Sequence, residues 1–394
     1  MKMAYAKLGD VAPSSSMRKN FNDCAQIVWQ LNLDQIEPQT GRVLTKVRLP
    51  VSQAGSSTHS FGPEHILYSK LRPYLNKVVI PEEEGIATTE LVPLLPNPKR
   101  LDRRYLAHYL RSEQFVFWIS NQVAGAKMPR VSMRVFWEHK IPLPSLLEQR
   151  RIVTILDRAE SLLQKNKQAN ELVCQFLYGV FLDMFGEPVA NKKKWVELPL
   201  EQGISLIESG WSAKGSNVPA TQGQFGVLKI SSVTSGIFRA TENKAVEGGA
   251  IPLGKKLVFP NAGDLLFSRA NTRELVAATA LVNEDYDHLF LPDKLWKIHT
   301  NEKLLPEFLH YLVQQPRMRD RLTSKATGTS GSMLNISKKK LLDTSAIFPP
   351  LPIQRRFADI YSRTRSFTLK QRAANIEAND LFNSLSQGAF NGQL

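Results

Sequence analysis

The sequence predicts an α+β protein in which two similar globular domains are joined by a pair of long antiparallel helices. The first observation is a repeat: a proline cluster followed by Gln-Arg-Arg occurs at Gln149-Arg150-Arg151 and again at Gln354-Arg355-Arg356. The second is the long apolar-periodic segment that follows each copy. The third is the series of short β-branched and aromatic segments, punctuated by Gly, Pro and Ser, that precedes each copy. We therefore expect a duplicated module with pseudo-twofold internal symmetry.

The length and composition are typical of a soluble globular protein with two domains. The chain has 394 residues, of which 42% are hydrophobic and 22% are charged, enough to form two cores. No apolar run is long enough to span a bilayer, and the first residues lack the apolar core of a signal peptide. The two cysteines, Cys24 and Cys174, have no spacing that indicates a zinc site or a disulfide framework. We expect a cytoplasmic protein.

The chain carries a large excess of positive charge. With 51 Lys and Arg against 36 Asp and Glu, its formal net charge is +15 at pH 7. A surplus of this size on a folded protein favours a polyanionic partner, and nucleic acid is the first to consider. The alternative is a generic basic surface without a specific partner, and charge alone does not decide between the two.

The first globular domain is predicted at residues 1–144. Its predicted strands are Gln26–Leu33, Gly41–Leu49, Ile66–Ser69 and Lys77–Ile80. A single helix is expected over Asp102–Val123, because the apolar residues there recur with the helical period. The loop Gly125–Met133 and the exit Pro142-Leu143-Pro144 end the domain.

The second globular domain is predicted at residues 188–349, and its segments follow the same order. Gly226–Gly236 corresponds to Trp29–Gly41, Gly263–Thr272 to Pro63–Pro73, and Phe308–Leu312 to Leu106–Leu110. Matched residues are 199 apart at Ser69 and Ser268, 202 apart at Tyr109 and Tyr311, and 205 apart at Gln149 and Gln354. Small loop insertions in one copy would produce such a slowly growing offset.

Two long helices are predicted at residues 145–187 and 350–394. Apolar residues recur in each with a seven-residue period, which favours a coiled coil over the alternative of a core helix in a larger domain. The predicted seam consists of Ile152, Leu156, Ala159, Leu163, Val173, Leu177 and Val180 in the first helix and of Phe357, Ile360, Phe367, Ala374, Leu381 and Leu385 in the second.

The order of the segments predicts that the two helices run antiparallel. The first leads into the second domain, and the second must return along it if the two pack together. Asn166, Asn170 and Gln371 then lie near the middle of the seam, where we expect a polar layer that fixes the register. A helix over Leu147–Phe185 is about 58 Å long, which corresponds to about 17 base pairs of B-DNA. This spacing suggests two recognition domains on a split site.

The sequence shows no recognisable active site, and no catalytic or metal-binding residue is predicted. Gly249–Lys256 satisfies G-x-x-x-x-G-K, but another Lys follows where a phosphate-binding loop needs Ser or Thr. Phe348-Pro349-Pro350 lacks the amide residue of an amino-methyltransferase motif. Glu82-Glu83-Glu84 is interpreted as solvated charge rather than as a nuclease centre. His108 and His310 recur at matched helix positions, and a structural role is the preferred interpretation.

Candidate nucleic-acid contacts lie after matched strands and in matched loops. Side chains of Arg, Lys, Asn and Ser supply donors that read base edges or grip phosphates. The candidates are Lys70, Arg72, Lys127, Arg130 and Arg134 in the first domain and Arg269, Asn271, Arg273, Ser330, Ser332, Asn335 and Lys338 in the second. For each the alternative is a solvated surface residue. Matched positions with different side chains suggest that the two domains read different sequences.

The chain resembles, over essentially its whole length, the specificity subunit of type I restriction-modification enzymes. The most specific segments are PLPSLLEQRRIVTILDRAESLL, PPLPIQRRFADI, GDLLFSRANT and ATGTSGSMLNISKKKLL. Two departures are that Pro352-Ile353-Gln354 lacks the acidic residue that Glu148 supplies in the first copy, and that Gly125–Met133 lacks the hydroxyl-rich run Thr327–Ser332.

The resemblance implies a non-catalytic subunit that binds double-stranded DNA through two target-recognition domains. Each would read one half of a gapped site, and the helices would set the gap. It further implies two modification subunits that use S-adenosylmethionine to methylate adenine, and restriction subunits that use ATP and Mg for translocation and cleavage. No cofactor is expected on this chain.

Three alternatives remain open. The chain could be the specificity component of a type II-like restriction enzyme, which would differ only in its partners. It could be a self-sufficient nuclease or methyltransferase, which the missing motifs oppose. It could be a coiled-coil adaptor that binds no DNA, which the charge and the paired basic strands oppose.

Overall fold

The computed structural model describes residues 4–17, 25–55, 57–124, 128–221, 223–324 and 333–394. The chain divides into two compact units: unit 1 comprises Met1–Ala169 with Gln371–Leu394, and unit 2 comprises Asn170–Lys370. Each long helix therefore contributes one half to each unit. Within the described ranges, no helix is both long enough and apolar enough to cross a membrane.

In its described residues, unit 1 has short strands and four short α-helices before the first long helix. Its strands are β1 Tyr5–Lys7, β2 Ile27–Leu31, β3 Val47–Pro50, β4 Thr58–Phe61, β5 Ile66–Ser69, β6 Val78–Val79, β7 Gly85–Thr88, β8 Leu91–Leu94, β9 Val123–Ala124, β10 Arg130–Val131 and β11 Lys140–Pro142. Its helices are α1 Leu8–Val11, α2 Arg103–Arg111, α3 Glu113–Ser120, α4 Met133–Glu138 and the first half of α5 Leu146–Phe185.

Unit 2 repeats this order and ends in the second long helix. Its strands are β12 Glu197–Pro199, β13 Ile204–Ser209, β14 Phe225–Leu228, β15 Asn243–Val246, β16 Leu265–Ser268, β17 Ala270–Asn271, β18 Thr279–Leu281, β19 Leu289–Phe290, β20 Leu295–Thr300, β21 Leu334–Asn335 and β22 Ser345–Ile347. Its helices are α6 Pro306–Gln314, α7 Pro316–Thr323, α8 Lys338–Leu342 and the first half of α9 Leu351–Phe390.

The sheets of the two units share one topology. Unit 1 has the strand orders β3-β2-β7-β4 and β6-β5-β8, and unit 2 has β15-β14-β19 and β13-β20-β16-β18. The pairs β2·β7 and β14·β19 are parallel, whereas the pairs β1·β11 and β12·β22 join the first and last strands of each unit antiparallel. The copies differ in one strand each: β4 is added beside β7 in unit 1, and β13 is added beside β20 in unit 2. The predicted duplication is confirmed at the level of strand pairing.

The central strands β5 and β16 show why these segments form buried strands. All four residues of each are buried, as expected for a strand with neighbours on both edges that is covered on both faces. Each strand ends in a serine whose hydroxyl donates to the carbonyl two residues on: Ser69 to Leu71 at 2.9 Å and Ser268 to Ala270 at 3.5 Å. The two serines turn the chain out of the sheet at the same point in both units.

The single helix predicted over Asp102–Val123 is wrong, because the structure has two helices there, α2 and α3. Ser112 between them is extended, with φ −62° and ψ 145°. Its hydroxyl donates to the Tyr109 carbonyl at 2.7 Å and accepts from the Phe115 amide at 3.3 Å, so it caps both helices. Apolar periodicity continues across this break and concealed it. In unit 2 the equivalent break falls at Gln315, before Pro316.

The two long helices run antiparallel, as predicted. In unit 1, Ile152 and Leu156 near the start of α5 share a core with Ala389 and Phe390 at the end of α9. In unit 2, the end of α5 meets the start of α9, where the rings of Phe185 and Phe357 lie 5.5 Å apart between centroids. The predicted seam of α5 is buried or half-buried throughout.

One row of the predicted seam of α9 is wrong after Ile360, which is half-buried and packs against the unit 2 core. Phe367 and Leu381 are 46% and 57% exposed, and Ala374 is also exposed. The row one position further along is buried or half-buried throughout, and it comprises Tyr361, Thr368, Asn375, Phe382 and Ala389. Because both rows contain apolar residues at a seven-residue spacing, periodicity alone could not choose between them. Polar residues at Thr368 and Asn375 made the correct row the less apolar in the middle of the helix.

The expected polar layer stays a prediction. Asn166, Asn170 and Gln371 are half-buried. Asn170 and Asn375 lie 205 positions apart, as Gln149 and Gln354 do. Asn170 and Asn375 each have a buried side-chain oxygen that lacks a hydrogen-bond partner in the described part of the chain. Buried amides of this kind favour one register of a helix pair at a cost in stability.

Candidate nucleic-acid interface

Each Gln-Arg-Arg motif fastens a unit to its long helix through the buried glutamine. The Gln149 amide oxygen accepts from the Asp102 amide at 2.7 Å, and its nitrogen donates to the carbonyls of Arg100 and Pro144, both at 2.9 Å. The two arginines that follow it, Arg150 and Arg151, are exposed. The glutamine thus positions the first turn of α5 against the start of α2.

Gln354 makes the same three bonds in unit 2. Its oxygen accepts from the Leu305 amide at 2.9 Å, and its nitrogen donates to the carbonyls of Lys303 at 3.0 Å and Pro349 at 2.7 Å. Gln149 and Gln354 are both fully buried. The sequence analysis used these residues as marks of the repeat and missed their role. A glutamine that recurs at the same point among apolar neighbours was the available signal.

In unit 1 the structure brings Lys70, Arg72 and Arg130 together. Leu71 forms a β-bridge with Arg130. The Val131 amide donates to the Lys70 carbonyl at 2.9 Å, and the Arg72 amide donates to the Pro129 carbonyl at 2.8 Å. The segment after β5 therefore lies beside β10 and presents these side chains from one short ladder.

In unit 2 the same ladder carries Arg269, Asn271 and Asn335. Ala270 pairs with Asn335, and Asn271 pairs with Leu334. The Ile336 amide donates to the Arg269 carbonyl at 2.8 Å. Leu71 and Ala270 are 199 positions apart, and Arg130 and Asn335 are 205 apart, the offsets seen in the sequence. We call the two features the unit 1 ladder and the unit 2 ladder.

Some of these cationic side chains form ion pairs with carboxylates, and others are exposed to solvent. The Arg130 guanidinium lies 3.0 Å from Glu90, and the Arg269 guanidinium lies 3.2 Å from Asp293. Both are surface pairs, which contribute about 0–1 kcal/mol and exchange readily for a phosphate. Arg72 and Arg273 are exposed. Arg72 also has a left-handed backbone, with φ 49° and ψ 64°, where a residue other than glycine is uncommon.

The other candidate residues lie outside the two ladders or already form a hydrogen bond within the protein. Arg134 is exposed on the first turn of α4, beside a shallow cleft that Trp118 and His139 also line. The Lys338 ammonium donates to the Ile207 carbonyl at 2.6 Å, which gives it a structural role. Lys127, Ser330 and Ser332 lie outside the described residues.

The matched histidines occupy different environments. His108 lies 2.8 Å from Asp157, whose other oxygen lies 3.0 Å from Arg104. His310 is 1% exposed and contacts the Thr279 hydroxyl at 3.0 Å. Burial, with the Arg365 charge as a lesser cause, lowers the pKa of His310 to about 3. A neutral, hydrogen-bonded His310 supports the preferred structural interpretation.

One cluster within the described ranges has metal-ligand chemistry, but its charges do not suit a cation. Side-chain atoms of His108, Asp157 and Glu160 lie within 4.8 Å of one another. Arg104 lies 3.0 Å from Asp157, and Arg111 lies 3.5 Å from Glu160. These arginines neutralise both carboxylates. Likewise, the segment after Lys256 has no helix before α6 in its described residues, so it lacks the helix of a phosphate loop.

The chain is similar in sequence to specificity subunits of type I restriction enzymes. Residues 62–173 match the family described as type I restriction modification DNA specificity domain. The chain is 26% identical over 308 residues to the type I restriction enzyme EcoKI specificity subunit of Escherichia coli K12, covering 74% of this chain and 65% of that subunit. It is 25% identical over 294 residues to the MjaVIII specificity subunit of Methanocaldococcus jannaschii, covering 70% of this chain and 67% of that subunit.

Solved structures share the fold at low sequence identity. The S subunit of a type I restriction-modification system from M. genitalium matches with a TM-score of 0.60 at 12% identity, over 99% of this chain and 96% of that one. A chain from a study of complex assembly and conformational transition of the type I R-M system matches with a TM-score of 0.51 at 18% identity, over 100% of both chains. The chain spans 65% of the length of the EcoKI subunit and 29% of the E. coli EcoEI subunit, to which it is also similar. The chain is therefore similar in sequence to type I restriction enzyme specificity subunits, and its residues 62–173 match the DNA specificity domain of that family.

Proposed function

We propose that this chain is the non-catalytic DNA-specificity subunit of a type I restriction-modification complex. Units 1 and 2 would each read one half of a gapped double-stranded target through their ladders. The helices α5 and α9 would set the gap and dock the modification subunits. S-adenosylmethionine would be bound by the modification subunits, and ATP and Mg would be used by the restriction subunits.

The observation that carries this proposal is the pair of ladders. The same strand pairing, at offsets of 199 and 205 residues, carries Lys70, Arg72 and Arg130 in one unit and Arg269, Asn271 and Asn335 in the other. A fixed scaffold with variable donors is suited to reading two unlike base sequences in one binding mode.

The chemistry of the ladders suits the major groove. Arginine can donate two hydrogen bonds to guanine, and asparagine can pair with adenine. The net charge of +15 supplies the phosphate attraction that sets the register on the duplex. Sequence information would therefore come from the ladder side chains, while affinity would come largely from the surrounding cations.

The test is to map adenine methylation in DNA from cells that carry this gene with its modification partner and from cells that lack it. A single gapped, two-part motif that disappears with the gene is the expected result. An unchanged pattern, with the partner shown to be active, would contradict the proposal and favour the adaptor hypothesis. A catalytically inactive modification partner serves as the matched control, because it retains DNA binding without the mark.

A further inference from the structure

A half-buried arginine on α7 of unit 2 has hydrogen-bond donors without acceptors. The Nε and Nη2 atoms of Arg319 are buried and make no hydrogen bond within the described residues. Burial lowers the pKa of Arg319 from its ordinary value, as expected for a guanidinium removed from water. A buried charged donor that lacks a hydrogen-bond acceptor lowers the stability of the fold. We therefore expect an acceptor to be present when the protein functions.

The two free donors form the side edge of the guanidinium. Nε–H and one Nη–H point in parallel from this edge, and they match two oxygens of a phosphate or a carboxylate. Arg319 lines a cleft whose other lining residues are Arg273, Glu274, Asp320, Thr323 and Ser324. A second cation, Arg273, therefore borders the cleft that Arg319 lines.

The carboxylates of the cleft do not accept hydrogen bonds from the unpaired Nε and Nη2 atoms of Arg319. Hydrogen bonds to its own backbone and to Thr272 lower the pKa of Glu274, so that carboxylate is directed to its own turn. Asp320 is exposed. Two carboxylates beside two arginines disfavour a small free anion. They matter less for an anion held in place by contacts elsewhere on the protein.

The cleft adjoins the unit 2 ladder. Arg273 follows Asn271 by two residues in the chain, and Asn271 pairs with Leu334 in the ladder. We propose that Arg319 and Arg273 form a binding site for one DNA backbone phosphate. This contact would fix the position of unit 2 on its half of the target. The site deepens the proposed function and depends on it.

Unit 1 has no arginine at the position that matches Arg319, and this difference provides a matched substitution. Met318 and Leu322 of α7 correspond to Phe115 and Ile119 of α3, since each of the four is 1% exposed and the offset is 203 in both pairs. The same offset places Val116 at the position of Arg319. Arg319→Val therefore installs the side chain that the duplicated helix already carries. Arg319→Lys keeps the charge and removes the paired donors.

The experiment measures binding of the full-length chain to a labelled duplex of about 30 base pairs over a salt series. For Arg319→Val we expect about tenfold weaker binding and a log–log salt slope reduced by about 0.9, the contribution of one phosphate. Arg319→Lys should retain the slope and lose part of the affinity. The control is Arg317→Val on the same helix, whose guanidinium already lies 2.8 Å from Glu187; it should change affinity and slope less.

Thermal unfolding separates a binding role from a structural one. Arg319→Val removes an unpaired buried charge, so the Tm of the free protein should hold or rise. A Tm that falls by several degrees would overturn the assignment, as would wild-type affinity and slope in Arg319→Val. If instead that variant binds DNA normally and loses a protein partner, the occupant is a carboxylate and the phosphate assignment is wrong. A wild-type chain that binds no duplex would overturn both this site and the proposed function.

Discussion

Gln149 and Gln354 show how much one side chain can decide in this fold. Each satisfies a backbone amide and two carbonyls where a helix begins against the body of its unit. An aliphatic residue would fill the same space and leave those groups unpaired. The repeat of the motif was evident from the sequence. The bonds were not, because four of the six join residues that lie 47 to 51 positions apart.

We expect Gln354→Leu to lower the free energy of unfolding by about 3 kcal/mol, since it leaves several buried polar groups unsatisfied. Chemical denaturation of the full chain measures this loss. Arg356→Leu, an exposed neighbour on the same turn, is the control and should stay within about 0.5 kcal/mol. Equal losses in both variants would show that Gln354 has no special role.

His310 should make stability depend on pH. Its pKa of about 3 in the folded chain lies below the ordinary value of 6.5, so the unfolded chain binds the extra proton. Stability is therefore full above about pH 6.5 and falls as pH decreases toward 3, by about 1.4 kcal/mol per pH unit where only the unfolded form is protonated. Denaturation of wild type and of His310→Gln from pH 7 downward measures the difference. Parallel curves for the two proteins would refute this assignment.

At the scale of elements, the sequence predicted the existence of the long helices better than their contacts. Proline clusters and apolar periodicity placed α5 and α9 within a few residues of their observed ends. They could not choose between the rows of Ile360 and Tyr361, because both rows are partly apolar. They also could not show the break at Ser112, where a hydroxyl rather than a proline or glycine separates α2 from α3. Both errors arise where side-chain hydrogen bonding or tertiary packing overrides a local pattern.

The corrected seam of α9 makes a direct prediction. Tyr361 is 7% exposed, and its ring lies 5.4 Å from His310 and 6.2 Å from Tyr311. Tyr361→Ala should lower the free energy of unfolding by about 3 kcal/mol, as for other buried aromatic truncations. Phe367→Ala, two turns later and 46% exposed, should change it by less than about 0.5 kcal/mol. A larger loss of unfolding free energy in Phe367→Ala than in Tyr361→Ala would contradict the corrected seam and support the one predicted from the sequence.

At the scale of the whole molecule, a duplicated unit followed by a long helix explains the two ladders and the antiparallel pairing together. Each long helix passes from one unit to the other, at 169/170 in α5 and at 370/371 in α9. The proposed function then assigns the half-site sequences to the units and the gap to the helices. The base sequence of either half-site could not be predicted, because irregular loops have no fixed correspondence between residues and bases.

This division of roles can be tested by lengthening both helices together. Seven residues inserted after Ala169 and seven after Lys370 preserve the heptad phase of each helix and add about 10 Å of helix. The gap in the methylated motif should grow by about 3 base pairs, with both half-sites unchanged. Insertion into α5 alone is the control, and it should abolish methylation because the two seams no longer match. A half-site that changes when only the helices are lengthened would mean that the helices contribute to base recognition, and the assignment of sequence reading to the two ladders would then be wrong.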